Sequence, residues 1–317
     1  MLYLNQLDIE NCNITWKKCI STIDEAVHYI RGNDFSQPIK PYLYFDNPKN
    51  RIIAMPARVG NDQEGIAGIK WIASFPENLD RGISRANSLT VLNDTETGQV
   101  LSIINTSEIS AIRTASVTGF VMKDFFGKKD LTGLTGLIIG YGPIGQRHLS
   151  MISEMFSERF DKILIYDKKY VDKEKIPEKI KSKVTIVSNI EDNFDLNDIV
   201  ITCTTSSRGY IKSTPKKGSL HLNVSLRDYD TSMQKYFDII IVDLWEEVCR
   251  ANTDIELMSI SNGLSKEDVV EISNISFLDY NDKTVFFNPM GMASFDIKIG
   301  ELYYKYAKRN LIGKEMS

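Results

Sequence analysis

Two cations stand where charge is costly to place. Lys70 is the lone charge in the apolar run GIAGIKWIAS, and Arg113 lies in ISAIRTASVTGF among small and apolar neighbours. A guanidinium in such surroundings costs free energy unless it meets an anion. Lys40, flanked by Pro38 and Pro41, and Arg85, ahead of the run SLTVLND, also sit near the ends of extended segments. Cations converging on one cleft suit a small substrate that carries more than one carboxylate. Burial beside other cations lowers a lysine pKa toward neutrality, which would let Lys70 assist proton transfer. A strand lysine is otherwise a snorkelling or edge residue, and that reading of Lys70 stays open at this point.

A second cluster binds rather than reacts. Gly140-Tyr141-Gly142-Pro143-Ile144-Gly145 matches G-x-G-x-x-G, follows the apolar run Leu134 to Ile139 and opens a helical pattern at Ile144. In that context Gly140 permits the tight turn and Gly142 lets backbone approach a pyrophosphate. Gly145 lets the helix pack close to the strand, with its N-terminus toward the phosphates. The next strand ends in Asp167. A carboxylate there accepts hydrogen bonds from the adenosine ribose diol and repels a 2′-phosphate, which favours NAD. Lys168 and Lys169 follow directly and would compensate a phosphate, so NADP stays open.

These residues need elements to carry them. Residues 15 to 31 place Cys19, Ile23, Ala26, Val27 and Ile30 at helical spacing. The prolines of NDFSQPIKPY hold the next stretch extended. RIIAMPARV, GIAGIKWIAS, SLTVLND and Gln99 to Ile104 read as strands of a mostly antiparallel sheet. Thr106 to Phe126 returns to helical spacing. From Asp130 the character changes to strand and helix in alternation: LTGLIIG with a helix over 144 to 157, KILIYD, KVTIV, DIVITCTT, SLHLNV and IIIVDLW. A polar stretch at 262 to 284 follows, and TVFFNPMGMASFD leads into a last helix ending around Lys308. The fold class is therefore α/β, a Rossmann-type doubly wound parallel sheet plus an α+β domain. The expected division is 1–115, rejoined by about 293–317, and 116–292 for the dinucleotide-binding domain.

Composition narrows the class. The 317 residues suit two domains, and a net charge of −4 without a Lys/Arg stripe argues against nucleic acid. No apolar run approaches the roughly 20 residues needed to span a bilayer, so no membrane association is expected. The N-terminus lacks the charged and apolar regions of a signal peptide, and a cytoplasmic location is expected. Cys12, Cys19, Cys203 and Cys249 show no C-x-x-C spacing, and Cys203 reads as a buried thiol in an apolar run. His28, His148 and His221 have no metal-site spacing, so no metal is expected.

Pro38-Ile39-Lys40, Gly68-Ile69-Lys70, Ile112-Arg113-Thr114-Ala115, Gly140 to Gly145, Asp198 to Thr204, and Asn288-Pro289-Met290-Gly291-Met292-Ala293 with Asp296 run in order along nearly the whole chain. In these segments the sequence resembles the ornithine cyclodeaminase/mu-crystallin family. The resemblance implies NAD(P)-dependent chemistry at an amine-bearing carbon, and a homodimer built through the N-terminal sheet. It implies that Lys40 and Lys70 hold the substrate α-carboxylate, with Arg113 and Thr114 near that carboxylate and the cofactor phosphates. Met290 and Gly291 would line the nicotinamide pocket. Pro143 and Ile144 of the glycine turn, with Thr202, Cys203, Thr204 and Ser225, would border the cofactor.

One segment departs from part of the family. Cyclodeaminases carry an aspartate in a Gly-Asp-x-Pro-Gly-Lys-x-Glu-like stretch, whereas this chain reads Asn223-Val224-Ser225-Leu226-Arg227-Asp228-Tyr229-Asp230. The family aspartate falls at Leu226 or Arg227 with Asp228 displaced, which argues against ring-closing deamination. MLYLN, NDFSQPIKPYL, RIIAMP, GIKWI, Arg85-Ala86, VITCT and NPMGMA are instead similar to the family's N-(2-amino-2-carboxyethyl)-L-glutamate dehydrogenase branch. That branch oxidises a secondary amine bearing three carboxylates to 2-oxoglutarate and L-2,3-diaminopropionate, for siderophores or peptide antibiotics. Under this reading Lys40, Lys70, Arg85 and Arg113 position carboxylates. Asp228 is a second acid/base candidate, its alternative being a surface aspartate in a loop. Two other readings remain: another activity of the family (amino-acid dehydrogenase, ketimine reductase or ornithine cyclodeaminase), or a non-catalytic NAD(P)H-dependent binder.

Overall fold

The computed structural model describes residues 1–61 and 63–316. The chain divides into two compact units, Met1–Val117 with Gly291–Ser317, and Thr118–Met290.

In the first unit, β1 (Leu2–Asn5) and the short α1 (Gln6–Cys12) precede α2 (Trp16–Arg31). The Thr15 side chain caps α2 by accepting from the Lys18 N–H, a contribution of about 1 kcal/mol. Trp16, Cys19, Ile20, Ile23, Ala26 and Val27 form its buried stripe. The proline-bound stretch that follows holds only β2 (Phe35–Ser36) and β3 (Tyr42–Tyr44). Then come β4 (Arg51–Val59), β5 (Ile66–Ser74), β6 (Ala86–Asp94) and β7 (Val100–Asn105), paired antiparallel in sequence order. β5 is thus an interior strand, which removes the edge reading of Lys70.

Alternation divides this sheet's faces. Met55, Ala57, Val59, Ile66, Lys70, Leu92 and Ile104 are buried on one side. Ala54, Pro56, Ile69, Val91 and Ile103 on the other are incompletely buried, and Trp71 beside them is 43% exposed. α3 (Glu108–Lys128) follows and runs on into the second unit.

The second unit is a wholly parallel sheet. Its strands are β8 (Leu134–Ile139), β9 (Phe160–Tyr166), β10 (Val184–Ile186), β11 (Ile199–Thr202), β12 (Leu220–Asn223), β13 (Ile239–Val242), β14 (Val269–Glu271) and β15 (Val285–Asn288). Their spatial order is β10-β9-β8-β11-β12-β15-β13-β14. The order reverses between β8 and β11, the switch point where doubly wound sheets open a crevice at their strand ends. α4 (Pro143–Met155) makes the first crossover, and α5 (Asp254–Asn262) follows β13.

Two strands depart from the sequence expectation. Val285–Asn288, read as a lead-in to the last helix, inserts between β12 and β13, and Val269–Glu271 forms an edge strand inside the polar stretch. Both are too short for a periodic signal, and what places them is pairing with distant segments.

The chain then returns to the first unit as α6 (Ala293–Arg309), which packs on β4, β5, β6 and α2. β16 (Lys314–Glu315) pairs with β1, so both ends of the chain join one sheet. Among the described residues no helix is long and apolar enough to cross a membrane.

Candidate active site

In the first unit three cations gather on the buried side of the sheet. Lys70 projects from β5 with 2% exposure, and its Nζ donates to Asp296 Oδ2 at 2.8 Å and to Ser110 Oγ at 3.3 Å. Arg113, one turn beyond Ser110 on α3, donates through Nε to Asp296 Oδ1 at 3.1 Å and through Nη2 to Ser110 Oγ at 3.4 Å. Asp296 is wholly buried in the first turn of α6. Lys40 is buried as well and donates to the Gly291 carbonyl at 2.8 Å. Burial pushes the Lys70 amine down to about 7, aided by the Arg113 and Lys40 charges and opposed by Asp296.

Gly291 makes room for this arrangement. Its φ is +88°, and a Cβ there would stand 2.5 Å from Arg113 Nη1. Only glycine tolerates both the backbone angle and the guanidinium against it. Thr114 lies half-buried beside Arg113, with its hydroxyl donating back to the Ser110 carbonyl at 2.7 Å. Arg85 precedes β6 by one residue and is half-buried, while Thr90, the cross-strand partner of Lys70, lies further along that strand. The arginine is thereby offset along the sheet from Lys70.

In the second unit the glycine turn has the geometry its motif requires. Gly140 has φ +94°, and a Cβ on it would meet the Cys203 carbonyl at 2.6 Å. A Cβ on Gly145 would meet the Gly140 carbonyl at 2.1 Å, so α4 seats directly on the turn. A Cβ on Gly142, the N-cap of α4, would meet nothing within 4 Å. That open space before a helix N-terminus, with Pro143 in the first turn, fits a dinucleotide pyrophosphate. Asp167 Oδ2 accepts from the Tyr141 N–H at 2.6 Å and Oδ1 accepts from the Lys169 N–H at 2.8 Å. The carboxylate braces the turn, and its remaining lone pairs suit a ribose diol.

At the ends of β11 and β12 the structure corrects the surface reading of Asp228. The residue is fully buried, and the Thr204 and Ser225 hydroxyls donate to its two oxygens. Burial raises its pKa, opposed by hydrogen bonds that include Thr204 and Tyr210. Leu226, at φ +64°, turns the loop so that this occurs. Behind it, Asp254 Oδ2 accepts from the N–H groups of Asp228 and Tyr229, each at 3.0 Å, and from Asn223 Nδ2 at 2.8 Å. Thr202 donates to Asn223 Oδ1 at 3.0 Å. Burial brings Asp254 up to about 6. Cys203, beside Gly140, has its Sγ 3.8 Å from His148 Nδ1, and burial pushes its thiol up. Met290 is half-buried against the core of this unit.

Ser110 and Asp254 have no mark in the sequence, and Asp296 appears there only as part of a family pattern. The anion that Arg113 requires is internal: Asp296, supplied from 183 positions away. Among the described residues no group of three or more His, Cys, Asp or Glu side chains is placed to hold a metal ion.

Residues 2–225 match the ornithine cyclodeaminase/mu-crystallin family profile. The N-((2S)-2-amino-2-carboxyethyl)-L-glutamate dehydrogenase of Staphylococcus aureus is 32% identical over 100% of this chain and 98% of its own. The alanine dehydrogenase of Archaeoglobus fulgidus is 23% identical over 99% and 98%. Among solved structures, the Thermococcus litoralis Δ1-pyrroline-2-carboxylate reductase in complex with NADH and L-proline superposes with a TM-score of 0.87. It covers 100% of both chains at 22% identity. An archaeal alanine dehydrogenase dimer with bound NAD gives 0.81, at 22% identity and 100% and 99% coverage.

Proposed function

The chain belongs to the ornithine cyclodeaminase/mu-crystallin family, and from that premise we propose that it is an NAD-dependent oxidoreductase acting on a CH–NH group. The specific reaction is the oxidative hydrolysis of N-(2-amino-2-carboxyethyl)-L-glutamate, in which substrate, NAD and water become 2-oxoglutarate, L-2,3-diaminopropionate, NADH and a proton. The observation that carries this reading is a buried lysine flanked by further cations, in a chain that also holds a dinucleotide turn with open space at Gly142.

NAD, when bound, supplies the hydride acceptor for the substrate carbon that bears the secondary amine. Gly140, Gly142, Pro143, Ile144, Gly145 and Asp167 hold the dinucleotide, bordered by Thr202, Cys203, Thr204 and Ser225. Met290 and Gly291 are assigned to the nicotinamide. Lys40 and Arg113 orient carboxylates, Arg85 takes a more distant one, and Arg113 and Thr114 lie toward the cofactor phosphates; positioning is a large part of such catalysis. The secondary amine must be unprotonated before its carbon is oxidised. Lys70, with its pKa near 7, is suited to take that proton at neutral pH. Asp228, kept neutral more readily by burial, is the second acid/base candidate.

The test is NADH formation by purified protein from NAD with this substrate, beside ornithine, alanine and arginine. Turnover of the first alone, with 2-oxoglutarate as product, is expected. Turnover of a control alone would discard the reaction and keep the family.

The half-open apolar face of the first sheet, with Ile69, Trp71, Val91 and Ile103, supports assembly as a homodimer through that sheet. Sedimentation is expected to give twice the chain mass, and a monomer at micromolar concentration would refute the assembly.

A further inference from the structure

We propose that Asp296 is a positioning residue whose carboxylate, shared between Lys70 and Arg113, fixes the Lys70 amine between α6 and α3 and helps to retain its proton. The kinetic consequence rests on the function proposed above; the structural claim does not.

Geometry carries the claim. Asp296 turns one oxygen to each cation, at 2.8 Å and 3.1 Å, and is itself wholly buried. Ser110 Oγ lies within 3.3 Å of the amine and 3.4 Å of the guanidinium, so a neutral acceptor closes the other side of the pair. Met55 on β4 and Thr90 on β6 stand opposite Lys70 in register and carry no charge. α3 brings Arg113, α6 brings Asp296, and the segment before β3 brings Lys40. Both neighbouring cations favour loss of the Lys70 proton, and Asp296 favours its retention.

A carboxylate with one oxygen on each cation also links two events. An anion received by Arg113 competes for the guanidinium and leaves Asp296 more fully to Lys70. The amine then becomes more basic when a carboxylate is bound. Asp296 touches neither cofactor nor reacting atoms in this account; it acts through Lys70.

The experiment is an NMR titration of the protein with carbon-labelled lysine, the Lys70 signal being identified by its loss in Lys70→Met. In Asp296→Asn the Lys70 midpoint is expected to fall by about one pH unit or more, as removal of an opposite charge at this range requires. Asp296→Glu should return it toward the original value. An unmoved midpoint in a folded Asp296→Asn protein overturns the proposal. Should that variant fail to fold, Arg113→Gln decides: with the competing cation gone and Asp296 left to Lys70 alone, the Lys70 midpoint should rise, and no shift overturns the proposal. In Asp296→Asn the acidic limb of kcat/KM should move down with the NMR midpoint. Absence of turnover in the unaltered protein would sink the proposed reaction and leave this titration standing.

Discussion

At the scale of single residues, Lys70 is an amine placed where water is not. Its ordinary pKa of 10.5 falls to about 7 because burial penalises the ammonium and Arg113 and Lys40 repel it. A base must be unprotonated to act, so kcat/KM should fall as the pH drops below about 7. Lys70→Ala should lower turnover by about a hundredfold or more while NADH binding persists. A pH-independent rate between 6 and 8, or normal turnover by the alanine variant, would remove Lys70 from the reaction. The sequence marks this lysine, because a lone charge in an apolar run calls for explanation. It gives no hint of which group answers that charge. Asp296 lies 226 positions away and meets Lys70 only once α6 has packed on β5. Ser110 is invisible for a related reason, since a serine in a helix has no distinguishing pattern until its neighbours are known.

At the scale of elements, the first strand, turn and helix of the parallel sheet are legible because each glycine answers a local demand. Gly145 and Gly142 nevertheless fail in different ways. A Cβ at 145 collides with the Gly140 carbonyl, so Gly145→Ala should push α4 off the turn and lower both Tm and dinucleotide affinity. A Cβ at 142 meets only open space, so Gly142→Ala should keep its Tm and weaken NADH binding tenfold or more, about 1.4 kcal/mol. Wild-type NADH affinity in Gly142→Ala would show that the phosphates do not pass there. Strand order is less legible. β15 inserts between β12 and β13 because Val285–Phe287 pair with Leu220–Leu222 on one side and Ile239–Ile241 on the other, pairings that no local pattern encodes. The Asp228 loop is hidden likewise: Leu226 adopts a left-handed backbone, and Asp254 gathers the N–H groups of Asp228 and Tyr229 from 26 and 25 positions away.

At the scale of the whole molecule, each unit holds one of the two candidate residue clusters. The first buries the Lys70 amine and the Arg113 guanidinium around one carboxylate; the second presents a glycine turn and a carboxylate-braced loop at its switch point. The chain reaches the second unit through α3 and returns through α6, the two helices that supply Arg113 and Asp296. The central claim is that the substrate carbon bearing the secondary amine gives up hydride to NAD. It is tested most directly with N-(2-amino-2-carboxyethyl)-L-glutamate deuterated at the glutamate α-carbon, followed by mass analysis of the NADH formed. The NADH should carry the deuterium and appear in equal amount with 2-oxoglutarate. NADH free of deuterium, or 2-oxoglutarate released without NADH, would contradict it.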